Sequence, residues 1–116
     1  MPYSEAYFRS AGVGQTMNLS ITDDDAVSFE PTYFDTVLLV WTDDGAEAAI
    51  VMAGTHSDGA VGTALNSTAN AVASTGSKVG TDGTDGQLAI SPHTDGMVYI
   101  ENRLGGTKNV RVREIN

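Results

Sequence analysis

The chain has 116 residues, with 15 acidic and 6 basic side chains for a formal net charge of −9, 13 glycines and no cysteine. This is the length of one ordinary domain, and the composition excludes a disulfide framework, a thiolate metal site and a cysteine nucleophile. Leu, Ile, Val and Phe supply 25 residues, about 22% and just above the roughly 20% below which charged chains stay disordered, so a fold with a thin core is expected. Thin cores are often completed by contacts between subunits.

The charge is unevenly placed. Residues 1–102 carry 14 acidic and 2 basic side chains, whereas residues 103–116 carry 1 acidic and 4 basic. An acidic body disfavours nucleic acid and anionic membranes as partners, because both are bound by Lys and Arg that displace counterions. The longest aliphatic run, Val37 to Trp41, is far too short to span a bilayer. Residues 1–20 lack the basic start and apolar stretch of a signal peptide, so a soluble protein made in a cytoplasm without export is expected.

In chain order, "MPYSEAYFRSAGVGQ" (1–15) places Tyr3, Tyr7 and Phe8 in a stretch of weak periodicity bounded by glycines. It reads as an arm that either folds back on its own domain or docks on a neighbouring subunit, aromatic side chains being common interface anchors. From Met17 the pattern is β: Met17, Leu19 and Ile21 alternate with polar residues, and Val27 and Phe29 flank Ser28. Asp23 to Asp25 form a polar break, and Pro31 ends a short strand. Thr36 to Thr42 is a continuous β-branched and apolar run, the signature of a strand covered on both faces. Asp43-Asp44-Gly45 then turns the chain into Ala48 to Ala53. Strands this short, with turn signals about every ten residues, describe a sandwich or barrel. Between 60 and 74, Val61, Leu65, Ala69 and Val72 have helical spacing, but Gly62, Thr63, Asn66, Ser67 and Thr68 are poor helix formers, which favours strand and loop.

The stretch "TDGTDGQLAISPHTDGMVYIENRLGG" (81–106) holds three Asp-Gly pairs and His93. An EF-hand needs ligands at alternating loop positions and a closing bidentate Glu, whereas Asp82 and Asp85 are followed by apolar residues. A calcium ion would have to recruit Asp23 to Asp25 or Asp43 and Asp44 from elsewhere, so Asp-Gly as turn chemistry is the favoured reading and no metal is assigned. Ser91, His93 and Asp95 resemble a triad written in one line, but working triads converge from separate elements. His93 and His56 therefore read as turn residues. No catalytic residue and no cofactor is assigned, and the chain is not expected to be an enzyme.

Turn chemistry makes the stretch coherent. Pairing Ser91 with Met97 puts Ile90 opposite Val98 and Leu88 opposite Ile100. A second hairpin, with Arg103 opposite Asn109, would place Ile100 against Val112, Glu101 against Arg111 and Tyr99 beside Arg113. The expectation is a three-stranded meander.

On these residues the run "TDGTDGQLAISPHTDGMVYIENRLGGTKNVRV" resembles the C-terminal half of small β-sandwich virion proteins of tailed bacteriophages. In those proteins an Asp-Gly turn, a Leu-x-Ile-Ser strand, a His-x-Asp-Gly turn and a Tyr-Ile-Glu-Asn-Arg strand follow one another. The likeness covers about a quarter of the chain well, and the charged last strand, "NVRVREIN", departs from it. It implies a jelly-roll-like fold and a cement or decoration role on the capsid surface, with the major capsid protein or another virion protein as partner and a homotrimer as the assembly.

The sequence is thus read as all-β: an extended N-terminal arm (1–15) and one antiparallel β-sandwich domain (16–116). The residues expected to contact a partner are Tyr3, Tyr7 and Phe8 of the arm, and Arg103, Lys108, Arg111 and Arg113 of the basic end, where alternation puts Arg111 and Arg113 on one outward face. The alternative is a receptor- or glycan-binding module of a phage tail or neck, in which Trp41, Tyr33 and loop aspartates would contact a sugar; a Trp on a periodic strand is more often core.

Overall fold

A computed structural model describes residues 13–115 of the chain. The described residues form nine strands and no helix: β1 (Thr16–Ile21), β2 (Asp25–Phe29), β3 (Asp35–Thr42), β4 (Ala48–His56), β5 (Gly59–Ser67), β6 (Ala71–Ala73), β7 (Leu88–Pro92), β8 (Val98–Asn102) and β9 (Lys108–Glu114). They make two packed sheets, one ordered β1-β9-β3-β4-β5 and the other β2-β8-β7-β6. The expected all-β sandwich is therefore what the chain forms. Every strand pair is antiparallel except β6 with β7, which run parallel.

Period-2 alternation produces the core. Met17, Leu19 and Ile21 of β1, Leu38 and Val40 of β3, Val51 and Ala53 of β4, and Val110 and Val112 of β9 point inward from the larger sheet. They meet Val27, Phe29, Leu88, Ile90, Val98 and Ile100 from the smaller one. The segment 60–74 is strand and loop, as its composition implies: β5 lies at the edge of the larger sheet and β6 at the edge of the smaller.

The topology is nested. β1 pairs with β9, Thr16 opposite Arg113, while β2 pairs with β8, Asp25 opposite Asn102. The two ends of the domain therefore lie side by side in both sheets, which is the jelly-roll-like part of the fold; β3, β4 and β5 instead form a simple meander.

The expected three-stranded meander over 88–113 is overturned. Its first hairpin exists, but two residues out of register: Pro92 pairs with Val98 and Ile90 with Ile100. A shift of two preserves the inward face, which is why alternation alone did not distinguish the registers. The second hairpin does not form, since β9 leaves β8 for the opposite sheet and lies between β1 and β3. Asn102 turns this corner: its side-chain amide donates to the carbonyls of Ile21 and Gly106, and its Oδ1 accepts the Leu104 N–H. Leu104 packs against the core, and Gly105 takes a left-handed φ of 97°.

The smaller sheet is buried on both sides. Ala26, Ser28, Ala89, Ser91, Tyr99 and Glu101 belong to its outward face, yet none is more than 8% exposed. The connection 74–87 between β6 and β7 crosses this face as a strap. Ser91 Oγ donates to the Gly76 carbonyl, and the Glu101 carboxylate accepts the backbone N–H groups of Gly80, Asp82 and Gly83 at 2.9, 3.0 and 2.8 Å.

Candidate functional site: the open face of the larger sheet

The Asp-Gly stretch is structural chemistry. Glu101 holds the strap rather than facing Arg111, and Tyr99 donates its hydroxyl to Asp95 Oδ2 at 2.6 Å rather than lying beside Arg113. Both corrections share a cause: β8 and β9 are in different sheets, so their side chains never become cross-strand neighbours. Arg103 donates from Nε to Asp24 at 2.9 Å and from Nη1 to the Gly83 carbonyl, tying the strap to the β1–β2 turn. The Asp24 contact raises its pKa.

Ser91, His93 and Asp95 are engaged separately. Ser91 is bonded to Gly76, Asp95 accepts from the Met97 N–H and the Tyr99 hydroxyl, and the His93 backbone N–H donates to the Met97 carbonyl. The His93 ring meets Tyr99 edge-on with 6.1 Å between centroids. The loop aspartates act as caps: Asp23 accepts from Gly105 N–H, Asp25 from Ala26 N–H and Asp82 from Val79 N–H. Among the described residues no three His, Asp or Glu side chains converge as a metal site.

The basic end divides in two. Lys108 is engaged internally, its Nζ 2.7 Å from Asp44 Oδ2, and this hydrogen bond is the largest of several that hold the Asp44 carboxyl well below the usual carboxylate range. Arg111 and Arg113 project outward from β9 and are exposed. Arg113 donates to the Gly14 carbonyl, a neutral partner. Among the described residues neither arginine has a carboxylate at salt-bridge distance. Tyr3, Tyr7 and Phe8 lie outside the described residues.

What surrounds these arginines was not evident from the basic segment. In register, Arg111 sits beside Trp41 and Arg113 beside Leu39 of β3. Continuing across the sheet, Leu39 faces Ile50 and Val37 faces Met52 of β4, and Val61 of β5 covers Gly54. Thus the outer face of the larger sheet presents an apolar field bounded on its β9 side by two guanidinium groups. Met52 and Val61 are 47% and 50% exposed, while Val37, Leu39, Trp41 and Ile50 are half-buried. A hollow of about 470 Å³ opens in this field, lined by Leu39, Trp41, Ala48, Ile50, Asn66 and Thr68 among others.

This corrects two expectations. Trp41 is on the outward side of β3 rather than in the core, and the run Thr36 to Thr42 is covered on only one side by described residues. The signal was nevertheless present, because Val37, Leu39 and Trp41 are apolar at the positions where a solvent-facing strand would be polar. A second, smaller hollow at one end of the sandwich contains Tyr33, so Tyr33 and Trp41 line different places.

Comparison with protein-family models, with curated proteins and with solved structures finds no match to this chain.

Proposed function

We propose that the chain is a structural protein that docks through the open face of its larger sheet onto a protein partner. In the setting its resemblance implies, this is a bacteriophage cement or decoration protein, present as a homotrimer and bound to the major capsid protein or another virion protein. One observation carries the reading: a β3–β4 face that is apolar where a solvated sheet would be polar, edged by Arg111 and Arg113. Exposed apolar fields of this kind mark interaction sites, and Arg and Trp are the residues that most often dominate their energetics. The two arginines on an otherwise acidic molecule select a partner with carboxylates around an apolar centre. Phe29, Ile100 and the rest of the core lie on the other side of the sheet, so this face is free of a folding role.

The test compares occupancy of phage particles by wild type, R111Q/R113Q and Leu39→Asp. Both variants keep the sandwich fold. The double variant is expected to lose occupancy at low salt and to differ less from wild type at high salt, because screening weakens the wild-type attraction. Leu39→Asp is expected to lose occupancy at every salt concentration. Full occupancy by both variants would show that this face does not dock.

A further inference from the structure

At the end of the sandwich where β2 leads into β3, a hollow of about 250 Å³ is lined by Glu30, Thr32, Tyr33, Phe34, Thr55 and Asp95, with Pro31 and Gly96 completing it. It shares no residue with the hollow on the docking face. Tyr33 and Phe34 are 56% and 58% exposed, which is unusual for two successive aromatic residues. Phe34 is held in place, its ring 5.0 Å from that of His56 and its carbonyl accepting the Thr55 N–H. Asp95 is fixed by the Met97 N–H and the Tyr99 hydroxyl.

Thr55 is the telling member. It is 1% exposed, it lines the hollow, and its hydroxyl has no hydrogen-bond partner among the described residues. A buried hydroxyl without a partner destabilises a fold, and a ligand that supplies the partner accounts for its presence.

We propose that this cleft binds a neutral pyranose, the terminal hexose of a glycan. The aromatic rings offer a surface for the C–H face of a sugar. The Glu30 and Asp95 carboxylates accept from its hydroxyls, while the Thr55 hydroxyl both donates and accepts. Cations are the other class attracted to carboxylates beside aromatic rings. An ammonium or guanidinium group carries only donors, however, and would leave the Thr55 proton without an acceptor. The volume falls below the roughly 300–1,000 Å³ of drug-sized sites, which suits one sugar ring rather than an oligosaccharide. Since the cleft and the docking face are separate, a docked molecule would still bind sugar.

The experiment is ligand-observed saturation-transfer NMR on the full chain, with the methyl glycosides of glucose, galactose and mannose at millimolar concentration and methylamine as the cationic probe. At least one hexoside is expected to bind saturably. Tyr33→Ala and Thr55→Val are each expected to weaken it about tenfold, the equivalent of one well-made contact. Thr55→Val should at the same time raise the melting temperature, because a methyl group replaces an unpartnered hydroxyl. Ser28→Ala is the control: Ser28 Oγ is also buried without a partner but does not line the cleft, so this variant should gain stability and keep full binding. R111Q/R113Q should also keep full binding, which separates this proposal from the docking function. The proposal is overturned if no hexoside binds, if Thr55→Val binds as wild type does, or if methylamine alone is bound.

Discussion

Glu101 shows how much one side chain does in this fold. It is 1% exposed and accepts three backbone N–H groups from residues 18 to 21 positions earlier in the chain. Glu101→Gln would turn one acceptor into a donor facing other donors. The expected loss is about 3 kcal/mol, a fall of roughly 10 °C in the melting temperature measured by circular dichroism. Asp44 behaves differently because its Lys108 contact is at the surface. Its folded carboxyl titrates below the unfolded one, so the stabilisation is present above the ordinary carboxylate range and is lost as pH falls through the folded value. Asp44→Asn should therefore have a lower urea midpoint than wild type at neutral pH and converge on it in strong acid. Neither role was legible locally. In the sequence Glu101 had an opposite charge at a plausible cross-strand position, and nothing in "YIENR" reveals that three N–H groups converge on it from a glycine-rich loop. The capping role of Asp-Gly turns was legible, because their chemistry is local.

At the level of elements, strands were easiest to read where one face is polar. β1 and β2 follow from alternation, and β5 follows from residues too poor for a helix. β8 and β9 each had the right character but the wrong neighbours, since a five-residue connection serves a hairpin or a crossing between sheets equally well. The decisive factor was tertiary: Val110 and Val112 are buried only between β1 and β3. The strap was hidden for a related reason, because 74–87 has little apolar content and earns its place through backbone hydrogen bonds. Its tightest approach is at Gly80, whose φ is 119° and where a methyl group would run into the Asp24 carbonyl and lie 2.8 Å from Asp25 Cα. Gly80→Ala should therefore lift the strap and leave the core strands in place. Trypsin cleavage after Lys78 would report this, rising about tenfold for each 1.4 kcal/mol lost in holding the strap closed. An unchanged cleavage rate would mean that the strap is held elsewhere.

For the whole molecule, the nested pairing makes completion of the larger sheet depend on its last strand. β9 is central, with β1 on one side and β3 on the other. Removing residues 108–116 should abolish the fold and its amide NMR dispersion, while removing residues 1–12 should leave the sandwich intact. Long-range pairing of this kind also predicts folding in milliseconds to seconds rather than microseconds. The strap gives the molecule a direction. One broad surface is roofed by the chain's own backbone and the opposite one is left bare, so attachment through the bare side would turn the roof toward the surroundings. A foreign peptide spliced between Thr84 and Asp85, at an exposed turn of the roof, would then be displayed outward in a single orientation, whereas the same peptide at Asn66 to Thr68 would be trapped beneath. The protein thus has the geometry of a one-way mounting plate, with its upper surface available to carry a cargo.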